Sequence, residues 1–287
     1  MGNASDITLR ALDVLSRCDA IIAEDTRVTS RILAIHEIRR PLHSYNENNA
    51  PRLRPKILQM LREGARLALV SDAGTPLVSD PGHKLVREAL EEGFAVHAVP
   101  GPSAALAALS SAGLPTDRFF FAGFLPAKSG ERRSALAELK PLRATLIFFE
   151  APQRLAKTLT DMAEILGARE AAVMSELTKL YEEARRGTLA ELGALYEGGP
   201  PKGEITIIVG PAPKAEGDWH EENPKIDQLL TQALAYMPVA AAAALVSDAT
   251  GARKRLVYAR ALNLKEDGLK EDGPAEHAGI PHKGQKR

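Results

Sequence analysis

The chain has 287 residues, 45% of them apolar, which is enough for two domains with their own cores and excludes a small scaffold held together by cross-links. Lys plus Arg and Asp plus Glu each number 37, so no net field draws the protein to polyanions, and any nucleic-acid contact has to come from local patches. The single cysteine, Cys18, excludes an internal disulfide and reads as a small buried hydrophobe in a reducing, cytoplasmic setting; no apolar run reaches the roughly 18 residues of a membrane span, and the first residues lack a basic stretch followed by an apolar core.

In chain order, short apolar runs alternate with helical patterns, which predicts α/β architecture with largely parallel strands. Strands are expected at 19–25 (DAIIAED), 66–72 (RLALVSD), 94–100 (FAVHAVP), 118–124 (RFFFAGF), 144–150 (ATLIFFE), 171–176 (AAVMSE) and 204–210 (EITIIVG). Helices are expected at 50–63, 82–92, 103–112, 131–140, 152–166 and 188–197. Gly and Pro in SAGLPTDR (111–118) place a domain boundary there, giving domains 1–113 and 114–213. GPAPKAEGDWHEENP (210–224) reads as a linker, 225–264 as two or three helices with a turn at Gly251, and 265–287 as a disordered tail.

The first-half strands run into unusual connectors. The strand at 19–25 ends in Glu24-Asp25-Thr26-Arg27, which joins carboxylates, a hydroxyl and a guanidinium, and in which Asp25 or Thr26 also suits a helix cap. The strand at 66–72 leads into Asp72-Ala73-Gly74-Thr75-Pro76, and that at 94–100 into Pro100-Gly101-Pro102-Ser103. Loops at the carboxyl ends of parallel strands are where open α/β sheets hold ligands. Gly74 permits close backbone approach, and Ser103 is placed to cap a helix. No GxGxxG or Walker sequence is present, so a cofactor without a pyrophosphate fits best. The seven His are scattered, and no structural metal is expected.

Taken together, AEDTR, LVSDAGTPLVSDPG, PGPSAALAALSSAGLPTDRFFFAGFLP, TLIFFEAPQRL and SELTKLYEE resemble the tetrapyrrole-methylase superfamily, and within it the branch that methylates small-subunit ribosomal RNA. The resemblance runs over residues 2–262 and implies two α/β domains with S-adenosylmethionine in the cleft between them, followed by a small helical domain. It implies a homodimer, and methylation of the ribose 2′-hydroxyl of a decoding-site cytidine in 16S ribosomal RNA. Asp72, Ala73, Gly74, Thr75 and Pro76 would border the methionine part of the cofactor, with Ser103 and Ala104 approaching from the next loop. Phe149, Glu150, Glu176, Leu177 and Thr178 would close over the adenosine. Family members begin with one further apolar strand ending in a Pro-Ile-Gly-Asn-type loop, of which Gly2-Asn3 is the counterpart here, and a start upstream of Met1 is therefore expected.

For the chemistry, the candidate bases or orienting groups are Asp25, Asp80 and Lys179, with Arg27 as a phosphate or carboxylate clamp. For RNA, the basic groups singled out are Lys128 with Arg132 and Arg133, in an expected flexible loop, and Arg253, Lys254 and Arg255, opening a helix after Gly251 in a helix-turn-helix-like module. Two alternatives stand beside this reading. One is a methyltransferase of the same fold acting on a tetrapyrrole or other small molecule, which would not need the basic helical module. The other is a non-catalytic RNA-binding ribosome-assembly protein, which cofactor titration would separate from the enzymes.

Overall fold

The computed structural model describes residues 2–212 and 224–271, with side chains as far as residue 265, and the chain divides into two units, Met1–Ala212 and Pro213–Arg287. The first unit opens with α1 (Leu9–Arg17), β1 (Ala20–Ala23), α2 (Thr26–Ile35), β2 (Leu42–Ser44), α3 (Ala50–Arg62), β3 (Leu67–Val70) and α4 (His83–Glu91). β1 is the centre of a parallel sheet of order β2-β1-β3, and its residues are at most 2% exposed, as in a strand covered on both faces. Alternation sends Ile22 to the side of α3 and α4, among Tyr45, Ile57, Leu58 and Leu85. Ile21 goes to the other side, with Leu15, Cys18 and Leu33. Cys18 is thus the buried hydrophobe its composition suggested.

The strand expected over 94–100 does not form, and Val96 within it is exposed. An extended run becomes a strand only where a neighbour takes up its N–H and C=O groups, and β3 pairs on its β1 side alone. β2 escapes sequence reading for the opposite reason: its three residues, Leu-His-Ser, carry no apolar run.

The first unit continues with α5 (Ala104–Ala112), β4 (Phe119–Phe124), α6 (Ser129–Leu139), β5 (Thr145–Glu150), α7 (Leu155–Leu166), β6 (Glu170–Ser175), β7 (Glu183–Thr188), α8 (Leu189–Glu197) and β8 (Ile205–Val209). These strands form a sheet of order β4-β5-β8-β6-β7. The α/β class is as expected, but the pairing here departs from largely parallel. Only β4 and β5 run parallel, whereas β8 is antiparallel to both β5 and β6, and β7 to β6. Residues 176–182 join β6 to β7, too short a link for the crossover of a dozen or more residues that parallel neighbours need.

Leu146 and Phe148 of β5 pack towards Leu155, Leu159 and Met162 of α7 and Leu189 and Leu192 of α8. Ile147 faces the other way, onto Ala105, Ala108 and Leu109 of α5. α5 therefore packs on the second sheet, although it precedes residue 113. The register sets Glu150 at the end of β5 and Ser175 at the end of β6 on either side of Ile205, so both strands finish at one edge.

α6 and α7 are joined by a buried ion pair. Arg132, 4% exposed, donates Nε–H to Asp161 Oδ2 at 2.7 Å, and the Ser129 hydroxyl donates to the same carboxylate at 3.1 Å. Burial alone would raise the Asp161 carboxyl; the bonds from Arg132, Ser129 and Arg133 outweigh it and hold the group below its ordinary value.

The second unit packs α9 (Pro224–Leu234), α10 (Val239–Thr250) and α11 (Lys254–Glu271) around Leu230, Ala242, Ala243, Val257 and Ala261. The expected turn at Gly251 is there, with φ +74° ending α10. Arg260 clamps Asp227 through two bonds of 2.8 and 2.7 Å, joining α11 to α9. α11 runs through residue 271, inside the stretch read as a disordered tail; 272–287 and most of the expected linker lie outside the described residues. Among the described residues no helix is long and apolar enough to cross a membrane.

Removing one partner of the buried pair leaves the other charged and unpaired. Asp161→Ala should therefore destabilise the first unit by about 3–5 kcal/mol, and Arg132→Met with Asp161→Leu together by clearly less, as read from urea denaturation.

Candidate functional site

The carboxyl ends of β1, β2 and β3 surround a hollow of about 480 Å³. Its walls are Glu24 to Arg27 from β1, Ser44, Asn46 and Asn48 from β2, and Asp72 from β3. Asp25 caps α2 by accepting the Arg27 N–H at 2.8 Å, and its own N–H donates to Asp72 Oδ1 at 2.9 Å, so the ends of β1 and β3 are tied together. At the end of β2, the Asn46 N–H donates to Asn49 Oδ1 at 2.8 Å and the Asn49 N–H to Asn46 Oδ1 at 3.2 Å. Asn49 Nδ2 also donates to the Ser44 carbonyl at 3.3 Å. These local side-chain bonds hold the turn open towards the hollow.

The carboxylates at this end are held in different states. Arg27 grips Asp25 through Nε and Nη2 at 3.0 and 2.6 Å, and with its backbone N–H keeps the Asp25 carboxyl at about 2. That corrects Asp25 as a base: the group is too acidic to take a proton near neutrality. Glu24 is shifted the other way, raised by burial and then by the neighbouring Asp80 and Asp72 charges. Asp80 is also raised, chiefly by burial, against a bond from Ser71. Lys179 is corrected as well. Burial would lower it, but the Glu176 and Glu204 carboxylates at 2.8 and 3.3 Å keep it protonated, with its pKa above the ordinary lysine value, and an ammonium cannot act as a base.

The loop from Asp72 to Pro76 meets the loop before α5 through the Thr75 hydroxyl, which donates to the Pro102 carbonyl at 3.1 Å. Gly74 has φ +84°, a conformation that favours glycine. Ser103 accepts the Leu106 N–H as the cap of α5, and Ala104 is the first helical residue. The same long loop reaches the second sheet, where a Cβ on Gly123 of β4 would lie 3.2 Å from Ser79 Oγ. Phe149 is at that edge, packed edge-on against Phe121 and Phe124 with centroids 5.0 and 5.6 Å away.

Two of the expected cofactor side chains point elsewhere. The Glu150 carboxylate is buried and occupied by the Ala151 N–H at 2.8 Å, the Thr158 hydroxyl at 2.6 Å and Arg154 at 3.1 Å. Leu177 belongs to the core with α5. Glu176 and Thr178 have left-handed backbones, φ 50° and 66°, and Thr178 Oγ1 is buried with no hydrogen-bond partner among the described residues.

The first basic cluster is corrected in the same way. α6 begins at Ser129, so Lys128 to Gly130 is not a loop; Arg132 is buried, and Arg133 pairs with Asp161 and Glu164. Lys128 is exposed beside Glu131 at 3.1 Å. Arg253, Lys254 and Arg255 are all exposed around the start of α11. Sequence reading noted Glu24 in the Glu24-Asp25-Thr26-Arg27 connector without giving it a role, and passed over Ser44, Asn46 and Asn48; the signal was the polar run SYNENN at the end of a strand too short to recognise.

Residues 1–193 match the family described as Tetrapyrrole (Corrin/Porphyrin) Methylases, and residues 220–265 match the RsmI C-terminal HTH domain. Among curated relatives, the protein named Ribosomal RNA small subunit methyltransferase I of Mesorhizobium japonicum is 50% identical over 275 residues, 95% of this chain and 92% of that protein. The Pseudomonas aeruginosa protein of that name is 43% identical over 267 residues, 91% and 94% of the two. In fold, the chain is similar to the cobalt precorrin-4 methyltransferase CbiF, with TM-score 0.54 and 19% identity over 73% of this chain and 90% of that one. It is also similar to the uroporphyrin-III C-methyl transferase of Thermus thermophilus complexed with S-adenyl homocysteine, with TM-score 0.53 and 20% identity over 73% and 93%.

Because Arg27 is the main cause of the acidity of Asp25, Arg27→Gln should move the Asp25 carboxyl from about 2 back towards the ordinary carboxylate range. Carboxyl-carbon NMR titration reads this directly; a midpoint that stays where it was would mean that the cap, not the guanidinium, sets it.

Proposed function

Since the chain belongs to the tetrapyrrole (corrin/porphyrin) methylase family and, within it, to the ribosomal RNA small subunit methyltransferase I proteins, we propose that it is an S-adenosylmethionine-dependent methyltransferase of 16S ribosomal RNA. The acceptor in this reading is the ribose 2′-hydroxyl of a decoding-site cytidine. The observation that carries it is the pair of loops at Asp72–Pro76 and Pro100–Ser103, bridged from Thr75 to Pro102, the first of which continues to Ser79 beside Gly123 of β4.

The donor set fits the cofactor. Its ammonium and sulfonium are cations suited to the Asp72 and Asp80 carboxylates, and its carboxylate suits the N–H groups at the start of α5. Gly74 keeps side-chain bulk out of the approach, and the buried Thr178 hydroxyl has no hydrogen-bond partner among the described residues, where a ligand would supply one. When bound, S-adenosylmethionine supplies a methyl group on a sulfonium, whose displacement neutralises charge and needs no oxyanion hole. What the chain contributes is alignment, worth about 7–11 kcal/mol when reacting groups are well placed.

The helical unit is the RNA reader in this reading. Arg253, Lys254 and Arg255 surround the first turn of α11 after the Gly251 turn, the arrangement in which a second helix is presented to a nucleic-acid backbone. A homodimer is the proposed assembly. It is supported by the outer edge of β4, which has no strand beside it among the described residues and exposes Phe119, Phe120 and Phe124, an edge that another chain would cover.

Three experiments test this. Gly74→Ala adds a methyl group in the approach and in a left-handed backbone; cofactor affinity in calorimetric titration should fall at least about tenfold, with the circular dichroism at 25 °C unchanged, and parental affinity would remove the loop from the cofactor site. Replacing Arg253, Lys254 and Arg255 together by Ala should preserve cofactor affinity. Methyl transfer to small ribosomal subunits should fall, with the slope of log affinity against log salt flatter by about 0.7–0.9 per lost phosphate contact. Nucleoside digestion and mass spectrometry of the parental product should give 2′-O-methylcytidine; a methylated base would overturn the assignment.

A further inference from the structure

We infer that the hollow at the ends of β1, β2 and β3 receives the acceptor ribonucleoside, and that Glu24 is the general base that takes the proton from its hydroxyl. This rests on the reading of the chain as a ribose methyltransferase and gives a role to a residue of the AEDTR stretch that was not among the candidate bases.

The hollow has about 480 Å³, within the range of roughly 300–1,000 Å³ of small-molecule sites. Two of its walls carry neutral hydrogen-bonding groups, Thr26 on one and Ser44, Asn46 and Asn48 on another. Hydroxyls and amides suit a ribose and the edge of a base. The carboxylates beside them disfavour a phosphate inside, whereas Arg27, with its side chain 86% exposed, stands at the rim where a flanking phosphate would pass.

Three carboxylates line the hollow, and each has a partner. Asp25 is gripped by Arg27 and caps α2, Asp72 Oδ1 takes the Asp25 N–H, and Glu24 takes the Asp72 N–H, against which burial raises its carboxyl. The charges weighing most on it come from Asp80 and Asp72 in the loop after β3 and Glu47 in the turn after β2, and all three are carboxylates. Like charges on several sides favour the protonated form, which is what a carboxylate needs to accept a proton from a weakly acidic hydroxyl. In the step, the hydroxyl oxygen gains the methyl group of the sulfonium, the sulfur keeps the electron pair of the broken S–C bond, and the hydroxyl proton passes to Glu24.

A base works only when deprotonated, so the rate should fall as pH drops through the Glu24 pKa, at a pH above the ordinary glutamate value. The test measures the parent protein, Glu24→Gln and Asp80→Asn for methyl transfer to small ribosomal subunits across pH, with cofactor affinity by calorimetry and melting temperature alongside. Glu24→Gln should lose about 10²–10⁴-fold in rate and lose the acidic limb. It should keep the parental cofactor affinity and melt no lower, because it removes a repelled charge. Asp80→Asn should shift the acidic limb to lower pH, a change that a purely structural role for Glu24 would not produce.

A Glu24→Gln protein with the parental rate and limb would overturn the inference, as would one that loses cofactor affinity along with activity. Loss of rate in Asp80→Asn with an active Glu24→Gln would assign the base to Asp80 instead. A parent that binds cofactor yet leaves ribose unmethylated would instead refute the functional reading, and the inference with it.

Discussion

The 2.9 Å bond from the Asp25 N–H to the Asp72 carboxylate is the joint on which this end of the molecule depends. It ties the end of β1 to the end of β3, two strands whose register already sets Ala23 opposite Val70. Once tied, β1 must turn directly into α2, with Asp25 as cap and Arg27 folded back upon it. The loop after β3 starts from a fixed point and can reach both the turn before α5, through Thr75 and Pro102, and the second sheet, beside Gly123. Without the joint, Asp72 would be one more solvated charge and the hollow would have no third wall.

The same joint distributes charge. Three of the acidic residues at this end differ in what surrounds each one: a guanidinium for Asp25, the Asp25 N–H for Asp72, and for Glu24 burial and other carboxylates that outweigh a bond from the Asp72 N–H. The first is driven towards its ionised form and the last away from it. Residues 24 and 25 are adjacent in the chain and chemically alike, and their environments push their pKa values apart, the pattern by which acid and base roles are separated on one scaffold.

The second sheet performs a different task. Its interior is sealed by helices on one face and by α5 on the other, and charged groups such as Arg132, Asp161 and Glu150 are consumed internally. Those groups add rigidity, and with β5 and β6 ending side by side at Ile205, the edge facing the long loop is a fixed platform. The helical unit closes instead on its own apolar core and the Arg260–Asp227 clamp, with Arg253, Lys254 and Arg255 exposed at the start of α11.

The sequence by itself determined the elements with strong local signals: AIIA and TLIFFE as buried strands, Ser103 as a cap, Gly251 as a turn, and the Gly/Pro loops at strand ends. Their apolar period, cap chemistry and turn residues act over a few neighbours and so are legible in the chain. Tertiary structure decided what depends on distant partners. It left 94–100 unpaired, made β8 antiparallel between β5 and β6, buried Arg132 against a carboxylate 29 positions away, and shifted the neighbouring Glu24 and Asp25 carboxyls in opposite directions. Each of these outcomes is set by which group lies opposite in space, through ladder partners, desolvation and Coulomb interaction, and none of those is encoded in the residue's immediate neighbours.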